Sequence, residues 1–357
     1  MLKIMGRRSS LNIGHGIKSG SIHAKIDWLV QSTQVINSDL ASMQATKNQP
    51  LPVEYRLEDY EIRKVLSAGG FSFVYIAHDK DKKTVAIKEY LPSALALRNQ
   101  GASVKVSSAE VSASFRHGLK CFFEEGRALA NIDHKNIVRV LNFFRANDTV
   151  YMVMQYERGN SLQESILSRN GPLPENFVRR VFSELLNGLR EVHTHKLLHL
   201  DIKPANIYIR LDGSPVLLDF GSARQTLTDV QPSLPPSYTP GFASPEQYFS
   251  RRLLGPWSDI YSIGATMYSC LSRAAPMAAD QRRNRDLLIP AEKLGKDIYS
   301  KNLLQIIDRC MALDHLQRPQ SVFSLQKALV EDIPLAEEKM GLLDKLKSFC
   351  KSKRSEP

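Results

Sequence analysis

The stretch HLDIKPANI at residues 199–207 is followed, after the apolar run VLL at 216–218, by the triplet DFG at 219–221. It places a carboxylate, Asp201, five residues before an amide, Asn206, and Asp219 lies between the apolar run and a glycine. Taken singly, each aspartate would be read as a turn residue or a helix cap. In this order and spacing they indicate phosphoryl transfer, because one carboxylate can accept the proton of an attacking hydroxyl while the amide and the second carboxylate hold Mg²⁺.

Motifs on both sides of this stretch resemble those of the eukaryotic-type serine/threonine protein kinase family, and the resemblance covers about residues 60–332. In chain order they are VAIK at 85–88, EEGRALANIDH at 124–134, YMVMQYERG at 151–159, SPEQY at 244–248, WSDIYSIGA at 257–265 and QRP at 317–319. Short β-rich runs up to about residue 87 and helical patterns beyond residue 174 agree with two lobes of different class. We therefore expect an α+β, two-lobed protein-kinase-like fold at 57–334, with a β-rich N-lobe at 57–156 and a helical C-lobe at 157–334.

The resemblance implies a role for each polar residue of the central stretch. Asp201 would be the catalytic base, and Lys203, which is the family's serine/threonine signature, would stabilise the γ-phosphate during transfer. Asn206 and Asp219 would hold Mg²⁺. The hydroxyl of Thr239 would reach towards Asp201 and Lys203.

Two further contacts are expected to be structural. His199 would pack and form hydrogen bonds that hold the Asp219 loop. Glu246 of the SPEQY motif and Arg318 of the QRP motif would form an ion pair.

The resemblance also implies where ATP binds. Lys88 would contact the α- and β-phosphates and pair with Glu125, which fits the family's spacing to the following Leu129 and His134 better than Glu124 does. Met154 would be the gatekeeper, and backbone groups near residues 155 and 157 would hydrogen-bond the adenine. The implied ATP-binding set is Lys88, Glu125, Ser67, Ala68, Gly69, Gly70, Phe71, Ser72, Val74, Ala86, Met154, Gln155 and Glu157.

The sequence departs from the family pattern at three places. The phosphate-covering loop, Ser67–Ser72, keeps only Gly69 of three glycines in register, so weaker ATP binding is one expectation. Leu200 replaces an arginine that could clamp a phosphorylated loop. Lys88 and Glu125 lie 37 residues apart, about twice the family's spacing, so residues 91–117 are predicted to be an insertion.

The predicted function is transfer of the ATP γ-phosphate to serine or threonine hydroxyls of proteins, with ATP and Mg²⁺ as cofactors and with autophosphorylation. One alternative is a pseudokinase scaffold that binds nucleotide or a partner without efficient catalysis. Another is a small-molecule kinase, which shares the H-x-D-x-x-x-x-N pattern but not Lys203 or the SPE ending. The protein substrates are not readable from the sequence, and the SPEQY ending resembles the bacterial branch of the family.

Composition limits the class of protein and its partners. The chain has 357 residues, of which 43% are hydrophobic and 24% charged, as in an ordinary globular protein. Of the formal net charge of +11, residues 1–56 and 339–357 carry +4 each, so nucleic acid is not expected as a partner. Four separated cysteines, no apolar run of about 18 residues and no signal-peptide pattern predict a cytoplasmic location.

The two flanks are predicted separately. Residues 1–56 read as a flexible basic extension whose spacing at 26–43 favours a short helix. Residues 335–357 read as a basic amphipathic tail, in which 339–354 has the layout of a helix that lies weakly on a membrane surface. Docking of this tail on the C-lobe, or a disordered basic end, are together the favoured alternatives.

Overall fold

The computed structural model describes residues 48–98, 101–220, 224–225 and 238–330. From Gln49 onward these residues belong to one compact unit. The short helix expected at 26–43 and the tail at 335–357 lie outside the described residues, as does most of the segment between 221 and 237.

The N-lobe is built on an antiparallel sheet that has six strands among the described residues. They are β1 (Arg56–Leu57), β2 (Tyr60–Ala68), β3 (Ser72–His78), β4 (Thr84–Tyr90), β7 (Val140–Ala146) and β8 (Thr149–Gln155). Their order in the sheet is β1-β2-β3-β4-β8-β7. Strand β3 alternates strictly between buried and half-buried residues, as expected for β-branched and aromatic side chains on a pleated sheet. Strands β4 and β8 are buried over almost their whole length, which places them at the centre of the lobe.

A helix packs on this sheet, and it begins inside the segment that was predicted to be an insertion. Helix α1 spans Ser112–Ala130, so the last six residues of the 91–117 segment predicted as an insertion belong to the helix. The remainder, residues 91–111, contains a small hairpin of β5 (Ala96–Leu97) and β6 (Lys105–Val106). The helix start is hard to predict because Val111 precedes it without a side-chain cap.

The two faces of the N-lobe sheet differ. Cross-strand pairing puts Val74 opposite Lys88 and Ala86 opposite Met154, so these four side chains share the face on which α1 packs. The outer face carries a buried polar cluster of Glu89, Tyr75, Tyr151 and Arg98, and the Arg98 side chain is only 1% exposed.

The C-lobe is mainly helical, and its central helix, Pro256–Ser272, is buried from Ser258 to Leu271. Its helices are α2 (Leu162–Leu167), α3 (Glu175–Thr194), α4 (Pro245–Phe249), α5 (Pro256–Ser272), α6 (Ala279–Asn284), α7 (Ala291–Leu294), α8 (Lys301–Cys310) and α9 (Val322–Val330). Among the described residues of this lobe, short 3₁₀ turns lie at Pro204–Asn206, Arg251–Leu253 and His315–Gln317. No helix among the described residues is both long and apolar enough to cross a membrane.

Short strands at the front of the C-lobe carry the polar motifs. They are β9 (Gly159–Ser161), β10 (Leu197–Leu198), β11 (Ile207–Arg210), β12 (Pro215–Leu217) and β13 (Arg224–Gln225). Strand β11 pairs with both β12 and β9, and β10 pairs with β13. Gly159 is required at this junction, because a Cβ atom there would lie 1.9 Å from the carbonyl oxygen of Ile209.

Candidate active site

Four side chains of the C-lobe form one hydrogen-bonded network around Asp201. Lys203 Nζ donates to Asp201 Oδ2 at 2.7 Å and to Thr239 Oγ1 at 2.7 Å. Thr239 Oγ1 donates to Asp201 Oδ1 at 2.7 Å, and Asn206 Nδ2 donates to Asp201 Oδ2 at 3.1 Å. The expected approach of Thr239 to Asp201 and Lys203 is therefore present.

The loop that carries Asp201 is held by a buried carboxylate. Asp259 accepts the backbone N–H groups of His199 and Leu200 at 2.9 and 2.8 Å, and its Oδ2 lies 2.8 Å from His193 Nε2. These hydrogen bonds, led by that of His193, hold the pKa of Asp259 below its usual range although burial opposes them. They also stabilise Leu200 at φ 63°, a left-handed conformation that is costly for a leucine.

His199 links the catalytic loop to the Asp219 segment. Its Nδ1 accepts the backbone N–H of Asp201 at 3.2 Å, so its Nε2 carries the proton and donates to the Leu218 carbonyl at 3.0 Å. Burial lowers the pKa of His199, which keeps the ring neutral. The ring also lies 4.4 Å from that of Phe220. His199 thus holds the Asp219 loop as expected.

The SPEQY motif also stabilises the loop that carries Asp201. Arg318 forms two hydrogen bonds with Glu246, at 2.8 and 3.1 Å, and both side chains are buried, so the expected ion pair is present. The role of Gln247 was not expected from the sequence: its Nε2 donates to the Leu200 carbonyl at 2.8 Å. The only local signal was the spacing of Ser244 and Gln247, which form the capping box that starts α4.

Lys88 differs from expectation in its partner. Its ammonium forms an ion pair with Asp219, and within the described residues Glu125 belongs to no ion pair. Burial raises the pKa of Glu125 to about 8 although the nearby Lys88 lowers it. Burial would lower the pKa of Lys88, but attraction by Asp219 and Glu125 raises it. The predicted Lys88–Glu125 pair is therefore absent from this structure, and Glu124 is exposed.

The segment that joins the lobes lies beside this lysine. Met154 is buried on the cleft face of β8, opposite Ala86. The Gln155 N–H donates to the Arg139 carbonyl at 2.9 Å, whereas the Glu157 N–H has no partner among the described groups. The Glu157 carboxylate is paired with Arg210 at 2.6 and 2.8 Å, which leaves its backbone as the part able to meet a ligand.

The phosphate-covering loop Ser67–Ser72 forms the turn between β2 and β3. The Gly69 N–H donates to the Ser72 carbonyl at 3.0 Å and closes the turn. Ala68 ends β2 and pairs with Phe73, and the Phe71 ring is 45% exposed. Neither Gly69 nor Gly70 has a positive φ, so the turn does not demand glycine at these positions on conformational grounds.

Comparison with known proteins agrees with this geometry. The protein kinase domain family matches residues 60–330, and the chain therefore belongs to the protein kinase family. It is 27% identical over 285 residues to serine/threonine-protein kinase D of Synechocystis sp., covering 76% of this chain and 52% of that protein. It is 28% identical over 300 residues to human serine/threonine-protein kinase Nek2, covering 80% of this chain and 63% of that protein.

A solved structure is similar over the same region. The apo form of PpkA-294 is 35% identical with a TM-score of 0.69, and the match covers 78% of this chain and 99% of that chain. The predicted family and two-lobed fold are thus confirmed. The chain spans less than two thirds of the length of the curated relatives described above.

Proposed function

We propose that the protein is a serine/threonine protein kinase that transfers the γ-phosphate of ATP to hydroxyls of protein substrates. The observation that carries this proposal is the network of Asp201, Lys203, Thr239 and Asn206. The names of the relatives agree with the serine/threonine class. The network also argues against the pseudokinase alternative, because a chain that only binds would not need it.

The two carboxylate oxygens of Asp201 have different roles in this proposal. Oδ2 already accepts from Lys203 and Asn206, whereas Oδ1 accepts only from Thr239 among the described groups. A carboxylate oxygen can accept two hydrogen bonds, so Oδ1 is the atom that would take the proton of the substrate hydroxyl. Lys203 uses two of its three N–H groups on Asp201 and Thr239, and the third would donate to the transferred phosphoryl group.

The donor set fits Mg²⁺. Asn206 Nδ2 donates to the backbone carbonyl and the carboxylate of Asp201 at 2.9 and 3.1 Å, so its Oδ1 faces the other way and accepts no hydrogen bond from a described group. The Asp219 side chain is 45% exposed. Asn206 and Asp219 would hold Mg²⁺ through these oxygens. The ion, when bound with ATP, neutralises negative charge on the phosphates.

The remaining site residues would bind ATP. Val74, Ala86 and Met154 present an apolar face on which the adenine would lie, and the Glu157 N–H would donate to it. Lys88 would exchange its contact with Asp219 for the α- and β-phosphates.

A phosphorylation assay with matched variants tests the proposal. The full chain is incubated with radiolabelled Mg-ATP, and the labelled amino acids are identified. We expect phosphoserine or phosphothreonine from the wild type, none from Asp201→Asn, and wild-type rates from Asp212→Asn, an exposed carboxylate in the β11–β12 turn. ATP binding by Asp201→Asn should be unchanged. Phosphotyrosine as the sole product, or full activity in Asp201→Asn, would contradict the proposal.

Cytoplasmic location remains part of the proposal and is supported by the buried thiols of Cys270 and Cys310, which form no disulfide. Membrane contact through residues 339–354 stays a prediction from the sequence. Co-sedimentation with anionic vesicles, comparing the full chain with a chain that ends at Ala336, would test it.

A further inference from the structure

The tip of the phosphate-covering loop is tied to the segment that follows β4. The Gly70 carbonyl accepts from Ser93 twice, from the backbone N–H at 2.9 Å and from Oγ at 3.1 Å. The Phe71 carbonyl accepts from the Leu91 N–H at 3.0 Å. Three hydrogen bonds therefore connect the loop tip to residues 91–93, which begin the segment 91–111.

These bonds fix the direction of a backbone donor. In a trans peptide the C=O and N–H groups point in opposite directions. Since Ser93 holds the Gly70 carbonyl, the Phe71 N–H of the same peptide points away from Ser93, and it has no hydrogen-bond partner among the described groups. Unpaired backbone N–H groups in a turn are suited to phosphate oxygens.

Ser93 itself is fixed through Arg98, which lies five residues further along the same segment. Arg98 pairs with the Glu89 carboxylate, with Nη1 donating to Oε2 at 2.9 Å, and Glu89 is fully buried on β4 next to Lys88. The hydroxyls of Tyr75 and Tyr151 donate to the same carboxylate at 2.7 and 2.5 Å. The segment that carries Ser93 is thus anchored to the strand that carries Lys88.

We propose that Ser93 is a positioning residue that orients the Phe71 N–H towards the phosphates of ATP, in a loop that lacks two of the usual three glycines. The proposal rests on the proposed function, because it takes ATP to be the ligand of this cleft. It assigns the segment 91–111 a role in nucleotide binding, whereas an insertion of this kind is often only a surface elaboration.

The turn at Ser93 offers two graded variants. Ser93→Ala removes only the Oγ hydrogen bond. Ser93→Pro removes both donors, and Ser93 occupies the second position of a turn closed by the Leu95 N–H and the Pro92 carbonyl at 2.9 Å, where proline is well tolerated. Ser103→Ala, at an exposed serine of the same segment, is the matched control.

The dissociation constants of ATP and of adenosine are measured by calorimetry for each full-length variant. The loss of one typical hydrogen bond changes an equilibrium constant about fivefold, so we expect ATP to bind about fivefold more weakly to Ser93→Ala and about 25-fold more weakly to Ser93→Pro. Adenosine, which has no phosphates, should bind all variants equally, and Ser103→Ala should match the wild type.

Two results would overturn the inference. ATP affinity unchanged in Ser93→Pro would show that the tether does not act on the nucleotide. Equal weakening of ATP and adenosine would show that the tether only supports the lobe. Failure of the wild type to bind either compound would instead refute the proposed function, and the inference with it.

Discussion

The Thr239 hydroxyl joins the two charged groups of the candidate active site, and its removal has a predictable effect on catalysis. It donates to Asp201 Oδ1 and accepts from Lys203 Nζ, both at 2.7 Å. Thr239→Val deletes both bonds at nearly constant volume. Hydrogen bonds to charged groups contribute about 1.5–3 kcal/mol each. Lys203 keeps its direct bond to Asp201 and Asp201 Oδ1 can accept from water, so we count one bond as the net loss.

That loss corresponds to a fall in kcat of roughly 10- to 100-fold. The assay is the initial rate of autophosphorylation at saturating Mg-ATP, with the dissociation constant of ATP measured in parallel. We expect the ATP constant to change less than about twofold, because the network lies on the C-lobe side of the cleft. Thr239→Ser should recover most of the rate.

Thr194→Val is the matched control, since that exposed hydroxyl donates only to the Arg190 carbonyl at the end of α3. A Thr239→Val rate within twofold of this control would refute the reasoning. A loss that appears only in ATP affinity would also refute it, because the hydroxyl would then act on the nucleotide.

Three other predictions concern pH, buried charge and regulation. Burial raises the pKa of Glu125 to about 8 from 4.5, so the folded state retains a proton that the unfolded state loses, and stability falls as the pH rises through this interval. The free energy of unfolding of the wild type, measured relative to Glu125→Gln by urea titration between pH 5 and 8, should fall by about 1 kcal/mol per pH unit. A difference that stays constant with pH would contradict this. Arg318→Met leaves Glu246 buried without its partner and should lower the free energy of unfolding by about 3–5 kcal/mol, whereas Arg309→Met, at an exposed site, should change it by less than about 0.5 kcal/mol. Leu200 is buried and cannot bind a phosphate, so replacing Thr226, Thr228, Ser233 and Ser237 together by alanine should leave most of the activity, and a hundredfold loss with the fold intact would show that the loop is a phosphorylation switch.

The fold and the catalytic loop could be predicted because their signals are local. Asp201, Lys203 and Asn206 lie within six residues of one another, so the chain alone brings them close together. The Glu246–Arg318 pair was accessible only through the family resemblance, since 72 residues separate the two.

Other features depend on three-dimensional burial, which the sequence does not report. The Lys88–Asp219 ion pair joins residues 131 positions apart, and the burial that raises the pKa of Glu125 is equally invisible in the sequence. Arg98 is buried against the outer face of the N-lobe sheet, although an arginine in a loop would ordinarily be exposed. The start of α1 at Ser112, inside the predicted insertion, could not be predicted because no capping side chain precedes it.

The Arg98 cluster also determines where the chain can be cut without harm. The Gln49 N–H donates to the Arg98 carbonyl at 3.1 Å, and the Leu51 N–H donates to the Tyr75 hydroxyl at 3.1 Å. A protein trimmed to the family match, beginning at Tyr60, would lose both donors and the buried Leu51 and Leu57 side chains. The smallest stable piece for crystallisation or screening therefore starts near Gln49, eleven residues before the homology begins.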